Sequence, residues 1–486
     1  MTRARRRAAA PTGRTDPDGL APLYAPLAGT YTRRIGLQGG NSATPSAAHR
    51  RRAKELREAL PRSSHAHWAP PPDREDPIAI FERQCRHRIP ELLAIRNGRM
   101  LESPFAFLRG APAVMAADLA QAPRTMLRVQ ACGDAHLMNF GIWATPERHL
   151  VFEVNDFDET LPASFEWDLH RLATSVYVAA RDRGFSEEQC ATATEAGARA
   201  YRLKMRALAR LDHLQQWYHR HDVDEALASL GPGGSLETER VVRKAQSHTH
   251  LGALSKLTEV VDGRRRIIDN PPLVDHVDAP YLDATRETYR EYLRSLPEDR
   301  RVLLKRYRLV DAARKVVGVG SVGTDCRVAL LLGDDDSDPL FLQIKEAEPS
   351  ILEPYAGRSA YKHQGRRVVL GQRLMQAASD IFLGWFRSDD RHYYVRQLRD
   401  MKGSAEIERL SAEQLAGYAE SCGQELARAH ARGGDADAIA GYLGKSDVFD
   451  RSITAFARTY ADQTEADHAA LVAAAKSGRI EATEGV

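Results

Sequence analysis

The chain has 486 residues, of which 69 are Lys or Arg and 66 are Asp or Glu, so a formal charge of +3 marks out no strongly charged partner. With 43% apolar and 28% charged residues, it has the composition of a globular protein large enough to bury more than one core. Five cysteines, Cys85, Cys132, Cys190, Cys326 and Cys422, form no C-x-x-C pair, which argues against both a disulfide framework and a structural zinc site.

No run of about eighteen apolar residues occurs, so no membrane span is expected. The opening MTRARRRAAAPTGR is basic but lacks the apolar stretch of a secretory signal, and a cytoplasmic protein is the expectation. Residues 1–60, rich in Arg, Ala, Gly, Pro and Ser, read as a basic disordered tail capable at most of weak nucleic-acid contacts.

Helical spacing of apolar residues begins in DPIAIFERQCRHRIPELLAIR and continues through AVMAADLAQ. MLRVQACGD and HLVFEVNDFDE then read as short strands, each delivering polar groups at its carboxyl end. FEWDLHRLATSVYVAARDRG opens a mainly helical stretch to about residue 300, broken by GPGG at 231–234 and by a hairpin, LTEVVDGRRRIID, turning at Asp262-Gly263.

Strands return in RKVVGVGSVGT, CRVALLLGDDDSDPLFLQIKEA and RHYYVRQLRD, with a helix in SAYKHQGRRVVLGQRLMQAAS before the last. Helices from SAEQLAGYAESCGQELARAHARGG run to the end. The expected class is α+β, divided into a tail 1–60, a helix-rich region 61–304, a β-rich region 305–402 and C-terminal helices 403–486.

Asp134 and Asn139 lie five residues apart in CGDAHLMNFG, and the acidic stretch NDFDE follows after a turn and a strand. Phosphoryl transfer needs such a set: one carboxylate to orient or deprotonate the acceptor hydroxyl, and hard oxygen ligands to hold magnesium. The plainer use of Asp and Asn in a loop is to cap backbone groups. His136 suggests a metal ligand, but no G-D-x-x-D or G-N-H follows, so it reads as a loop-bracing or substrate-facing residue.

GDAHLMNFG followed by VNDFDE resembles the catalytic loop and metal-binding aspartate of the protein-kinase-like superfamily, closest to aminoglycoside and choline phosphotransferases. The resemblance implies that Asp134 is the catalytic base and that Asn139 and Asp156 hold magnesium, with Asp158 as a possible supporting residue. WDLHRLATS is similar to the D-L-A stretch of those enzymes, which implies that Asp168 braces the loop. Cys132 stands where they usually carry histidine or tyrosine. The wider pattern, from PRSSHA through SPFAFLRG, NDFDET and GVGSVGT to LQIKEA, is similar to an uncharacterised bacterial family known as a domain of unknown function.

Gly318, Gly320, Ser321 and Gly323 belong to a G-x-G-x-x-G that runs into a strand, an acidic turn and a strand, against the helix a dinucleotide site requires. A kinase-type glycine hairpin fits, with Lys345 of FLQIKEA on the strand that reaches the α and β phosphates of ATP. The helix expected to supply a glutamate for Lys345 offers Gln372 and Gln376, and only Glu346 and Glu353 lie near in sequence.

The glycines follow the Asp134 loop, whereas in kinases they precede it. The implied fold is a circularly permuted, two-lobed kinase-like one, with a helix-rich large lobe first and a small β-sheet lobe second. The expected activity is ATP- and magnesium-dependent transfer to a hydroxyl of a small molecule. The alternatives are a kinase-like AMP transferase and a non-catalytic nucleotide-binding regulator or scaffold.

Overall fold

The computed structural model describes residues 47–223, 243, 250–276, 280–398 and 402–485; the GPGG stretch at 231–234 lies outside them. The end of the segment read as a disordered tail is helical, which corrects that reading: α1 spans Ala47–Ala59. Ala53 is buried, Arg57 donates to the carbonyl of Gly441, and Arg62 donates to that of Leu443 at 2.6 Å. These arginines satisfy the last carbonyls of the helix Ala436–Leu443, where the peptide dipoles favour a cation.

The helical run expected after residue 76 is cut into α2 (Pro77–Cys85), α3 (Leu93–Leu101), α4 (Pro104–Gly110) and α5 (Pro112–Leu119). Prolines open three of them, at a position where the missing N–H has no helical partner to lose. Asp76 and Ser103 cap two, accepting from Ile78 N at 3.0 Å and Ala106 N at 3.2 Å. Pro90 separates α2 from α3 because it holds Ile89 extended.

Strands β1 (Arg128–Ala131), β2 (Phe140–Ala144), β3 (Leu150–Val154) and β4 (Leu161–Ser164) form two antiparallel ribbons, β1 with β4 and β2 with β3. Ala131 faces Leu161 and Phe140 faces Val154. The loops 132–139 and 155–160 therefore leave the ribbons at adjoining ends. Helix α6 (Phe165–Asp182) follows and is buried on every side from Phe165 to Ala180, so it is central. Helix α7 (Glu187–Leu208) packs against it, opened by a Ser186/Gln189 capping box.

The hairpin expected at Asp262-Gly263 is present as β5 (Thr258–Val261) and β6 (Arg264–Ile267), with φ of 50° and 74° at its two turn residues. A six-stranded antiparallel sheet comprises β7 (Val274–Asp275), β8 (Arg308–Lys315), β9 (Cys326–Leu332), β10 (Pro339–Glu346), β11 (Gly384–Ser388) and β12 (Arg391–Gln397). Its spatial order is β11, β12, β10, β9, β8, β7. The glycines lie in the connection from β8 to β9, and Lys345 lies on β10.

Helix α8 (Pro280–Ser295) covers one face of the sheet, where Tyr292 clusters with Leu331, Leu342 and Phe386. Leu254 and Ile267 cover the other with Val328, Leu330 and Phe341. Each such side chain contributes about 1.5–3 kcal/mol by leaving water. The sheet's own core thus begins near residue 250, upstream of the boundary expected at 305, because the elements of 250–304 pack on the strands.

Helix α9 (Gln364–Met375) lies between β10 and β11 in the chain and buries Val368 and Met375 in the central core. That core is shared with α6, α7, α10 (Ala412–Gly433) and α11 (Val448–Lys476). No described helix is long and apolar enough to cross a membrane.

Candidate functional site

Asp168, Arg171 and Ser175 recur at i, i+3 and i+7 and share one face of the buried helix α6. That face grips the 132–139 loop. Asp168 accepts from the backbone N–H of Cys132 at 2.7 Å and of Gly133 at 2.9 Å, and His430 Nε2 lies 3.1 Å from it. Arg171 Nε donates to Asp134 Oδ1 at 2.8 Å, and Ser175 Oγ accepts from Leu137 N at 2.8 Å. Buried polar groups on an apolar helix are costly without partners, and here the loop supplies them.

Gly133 has φ +87°, and a Cβ there would lie 2.4 Å from the carbonyl oxygen of Glu159, so the turn needs glycine twice over. Asn139 Nδ2 donates to the carbonyls of Asp134 at 2.9 Å and Asp156 at 3.1 Å. One amide therefore ties the two polar loops together. Its nitrogen is committed to backbone, which leaves the amide oxygen as the atom Asn139 can offer a ligand.

Lys345 Nζ donates to Asp158 Oδ2 at 2.5 Å and to Asp156 Oδ2 at 3.3 Å. Tyr394 Oη donates to Asp158 Oδ1 at 2.6 Å, and Ser321 Oγ lies within 3.4 Å of Oδ2. Burial penalises the ammonium, but the two carboxylates outweigh it and hold Lys345 well above the usual lysine value. Burial likewise pushes the Asp156 carboxyl up, yet Lys345 and Arg396 outweigh it and leave the pKa below the ordinary value.

The helix carboxylate sought for Lys345 is thus supplied by the 155–160 loop. Gln372 donates to Gln376, which donates to Val154 O, while Glu346 accepts from Asp325 N and pairs with Arg391. Helix α9 is tied to the same loop through Arg367, whose guanidinium donates to the carbonyls of Asp158, Thr160 and Glu348, each at 2.8 Å.

The glycine connection is clamped from the connection between α2 and α3 and from α3 itself. Arg88 donates to Gly320 O at 2.6 Å and to Val322 O, Arg99 donates to Gly318 O, and Ile89 N donates to Gly323 O at 2.7 Å. Asp134, His136, Asn139, Asp156 and Asp158 line a cavity of about 250 Å³ together with Gly318, Gly320 and Ser321. Arg109 and Arg396 complete part of the wall. Gly323 is packed on Arg88, Lys345 stands behind Asp156 and Asp158, and Asp168 stands behind the loop it holds.

His136 lies inside the cavity wall with Nε2 3.8 Å from Asp134 Oδ2 and Nδ1 buried without a partner. Burial lowers its pKa to about 3, so the ring is neutral. Among the described residues no group of three or more His, Cys, Asp or Glu could hold a metal ion by itself. The donor set available, the Asn139 amide oxygen and the Asp156 carboxylate, suits magnesium, which takes one or two protein oxygens and completes its shell with water and phosphate.

Arg88, Arg99, Arg171, Ser175, Arg367 and Tyr394 are part of this arrangement, and the sequence reading passed over them. Two had a signal. Arg171 and Ser175 repeat the Asp168 face at helical spacing, and Tyr394 sits opposite Lys345 in the β10–β12 register. The arginines that clamp the glycines come from a distant interhelical turn and from α3, and no local pattern marks them.

No curated protein matches the chain, and no solved structure matches it. Residues 88–474 match the family described as "Uncharacterized protein conserved in bacteria (DUF2252)". The chain belongs to that family.

Proposed function

We propose that this protein is an ATP- and magnesium-dependent phosphotransferase of kinase-like fold, with its lobes in permuted order, acting on a hydroxyl of a small molecule. The observation that carries the proposal is the meeting in one cavity of the Asp134, Asn139 and Asp156 loops with the glycine connection, from stretches far apart in the sequence. The sheet adds support. A glycine connection joins β8 to β9, a lysine lies on the next strand, and a helix follows it, as in the kinase small lobe.

In this reading Asn139 and Asp156 hold magnesium, which neutralises charge developing on the transferred phosphoryl group. Lys345 keeps Asp156 ionised and holds it, with Asp158, at hand for the nucleotide end of the cavity. Asp134, oriented by Arg171, meets the acceptor hydroxyl and aligns it for in-line transfer. Asp168 and Ser175 hold the loop backbone so that this geometry is fixed before substrate arrives.

The test is the melting temperature with ATP and magnesium, for the wild type and for Asp156→Ala. A ligand that binds only the folded state raises it, and the shift is expected in the wild type alone. No shift in the wild type would remove the nucleotide from the proposal. Release of pyrophosphate in place of ADP would turn the reading to AMP transfer.

A further inference from the structure

The arginines around the cavity are committed, with one exception. Arg88 and Arg99 hold carbonyls of the glycine connection, Arg171 holds Asp134 and Leu108 O, and Arg396 holds Gln343 and Asn155 O. Arg109, at the end of α4, lines the cavity yet makes no hydrogen bond or ion pair among the described residues, and its Nε is buried without a partner. Its one close contact of note is the Phe105 ring, 5.7 Å from the guanidinium carbon. His136, with its own buried and unpartnered Nδ1, lines the same cavity.

A half-buried guanidinium to which no carboxylate is hydrogen-bonded keeps donors that an anion can take, and such a fork of donors is the usual way to bind carboxylate or phosphate. Asp134 is not hydrogen-bonded to it, and Oδ1 of that carboxylate is taken by Arg171. Burial is the main influence on the Arg109 guanidinium, with Asp134 its leading charged neighbour.

We infer that Arg109 and His136 form an anion subsite beside Asp134, and that the acceptor is a small hydroxylated molecule bearing a carboxylate or a phosphate. The inference rests on the phosphotransferase reading for the word acceptor, but the anion subsite stands on the cavity alone. It departs from aminoglycosides and choline, whose positive charge Arg109 would repel. The nucleotide already has the glycine connection and the Asp156 and Asp158 end of the cavity, while Arg109 neighbours Asp134, the group that meets the acceptor.

The experiment measures melting temperature against glycerol 3-phosphate, D-glycerate, glycerol and choline. Each is added with and without magnesium and a non-hydrolysable ATP analogue, for the wild type, Arg109→Gln and Arg109→Lys. The two anions are expected to stabilise the wild type and to bind about tenfold or more weakly to Arg109→Gln, with partial recovery in Arg109→Lys. The analogue's own shift is expected to survive in Arg109→Gln, which also shows that the variant is folded.

Stabilisation by choline equal to that by the anions would overturn the inference, as would anions without effect on the wild type. Loss of the analogue's shift in a folded Arg109→Gln would overturn it differently, by assigning Arg109 to the nucleotide. An anion shift that needs Arg109 while the analogue has no effect on the wild type would keep the subsite and remove the phosphotransferase.

Discussion

Lys345 and Asp158 are 187 residues apart in the chain and 2.5 Å apart in the fold, joining the β10 strand to the loop after β3. The contact is largely out of water, with the lysine side chain 2% exposed and the aspartate 27%. Removing one partner leaves the other charge poorly compensated, whereas removing both is milder. Lys345→Met is expected to cost about 1–3 kcal/mol of unfolding free energy. The double variant with Asp158→Asn should cost less than the sum of the two single changes, as urea titrations would reveal.

Gly133→Ala adds a Cβ at a backbone carbonyl and at positive φ, both on the turn that precedes Asp134. A loss of about 1–3 kcal/mol follows from the forced conformation. Since the Asp134 carboxylate must shift with the turn, ADP release is expected to fall much further than stability would explain. Activity measured well below the variant's melting point separates the two effects.

Asp134→Asn keeps the size of the side chain and removes the carboxylate that meets the hydroxyl. Acceptor-dependent ADP release is expected to drop by about 10²–10⁴-fold. The melting shift with ATP and magnesium should remain, because Asn139, Asp156 and the glycine connection are untouched. Loss of both together would move Asp134 from the acceptor to the nucleotide.

The His65 and His170 rings lie tilted toward each other with centroids 5.9 Å apart, and burial lowers their pKa values to about 3 and about 4. Well above pH 6.5 both rings are neutral in the folded and unfolded chain alike. As pH falls below 6.5 the unfolded chain takes up protons that the fold refuses until about 4 or 3, so stability is lost on acidification. For one ring the loss between pH 7 and 5 is about 2 kcal/mol. His170→Gln should therefore lose correspondingly less than the wild type over that range in urea unfolding.

The sequence by itself determined the local chemistry. Loops rich in Asp and Asn after apolar runs marked 132–139 and 155–160, glycines marked a tight connection, and the Asp262-Gly263 pair marked its hairpin. These signals depend on neighbours a few residues away, through turn geometry and side-chain period. The helix break at Pro90 has the same local origin, but the apolar spacing on both sides of it read as one continuous helical run.

Only the tertiary structure decided which loop meets which. Lys345 finds Asp158, Arg88 and Arg99 reach the glycines, Arg57 and Arg62 close the end of a distant helix, and the Arg109 side chain has no hydrogen-bond or ion-pair partner among the described residues. An arginine in a sequence looks the same whether it is solvated, clamping a carbonyl or facing a cavity. Its role is set by the desolvation and hydrogen-bond partners that packing imposes, and those partners come from residues hundreds of positions away.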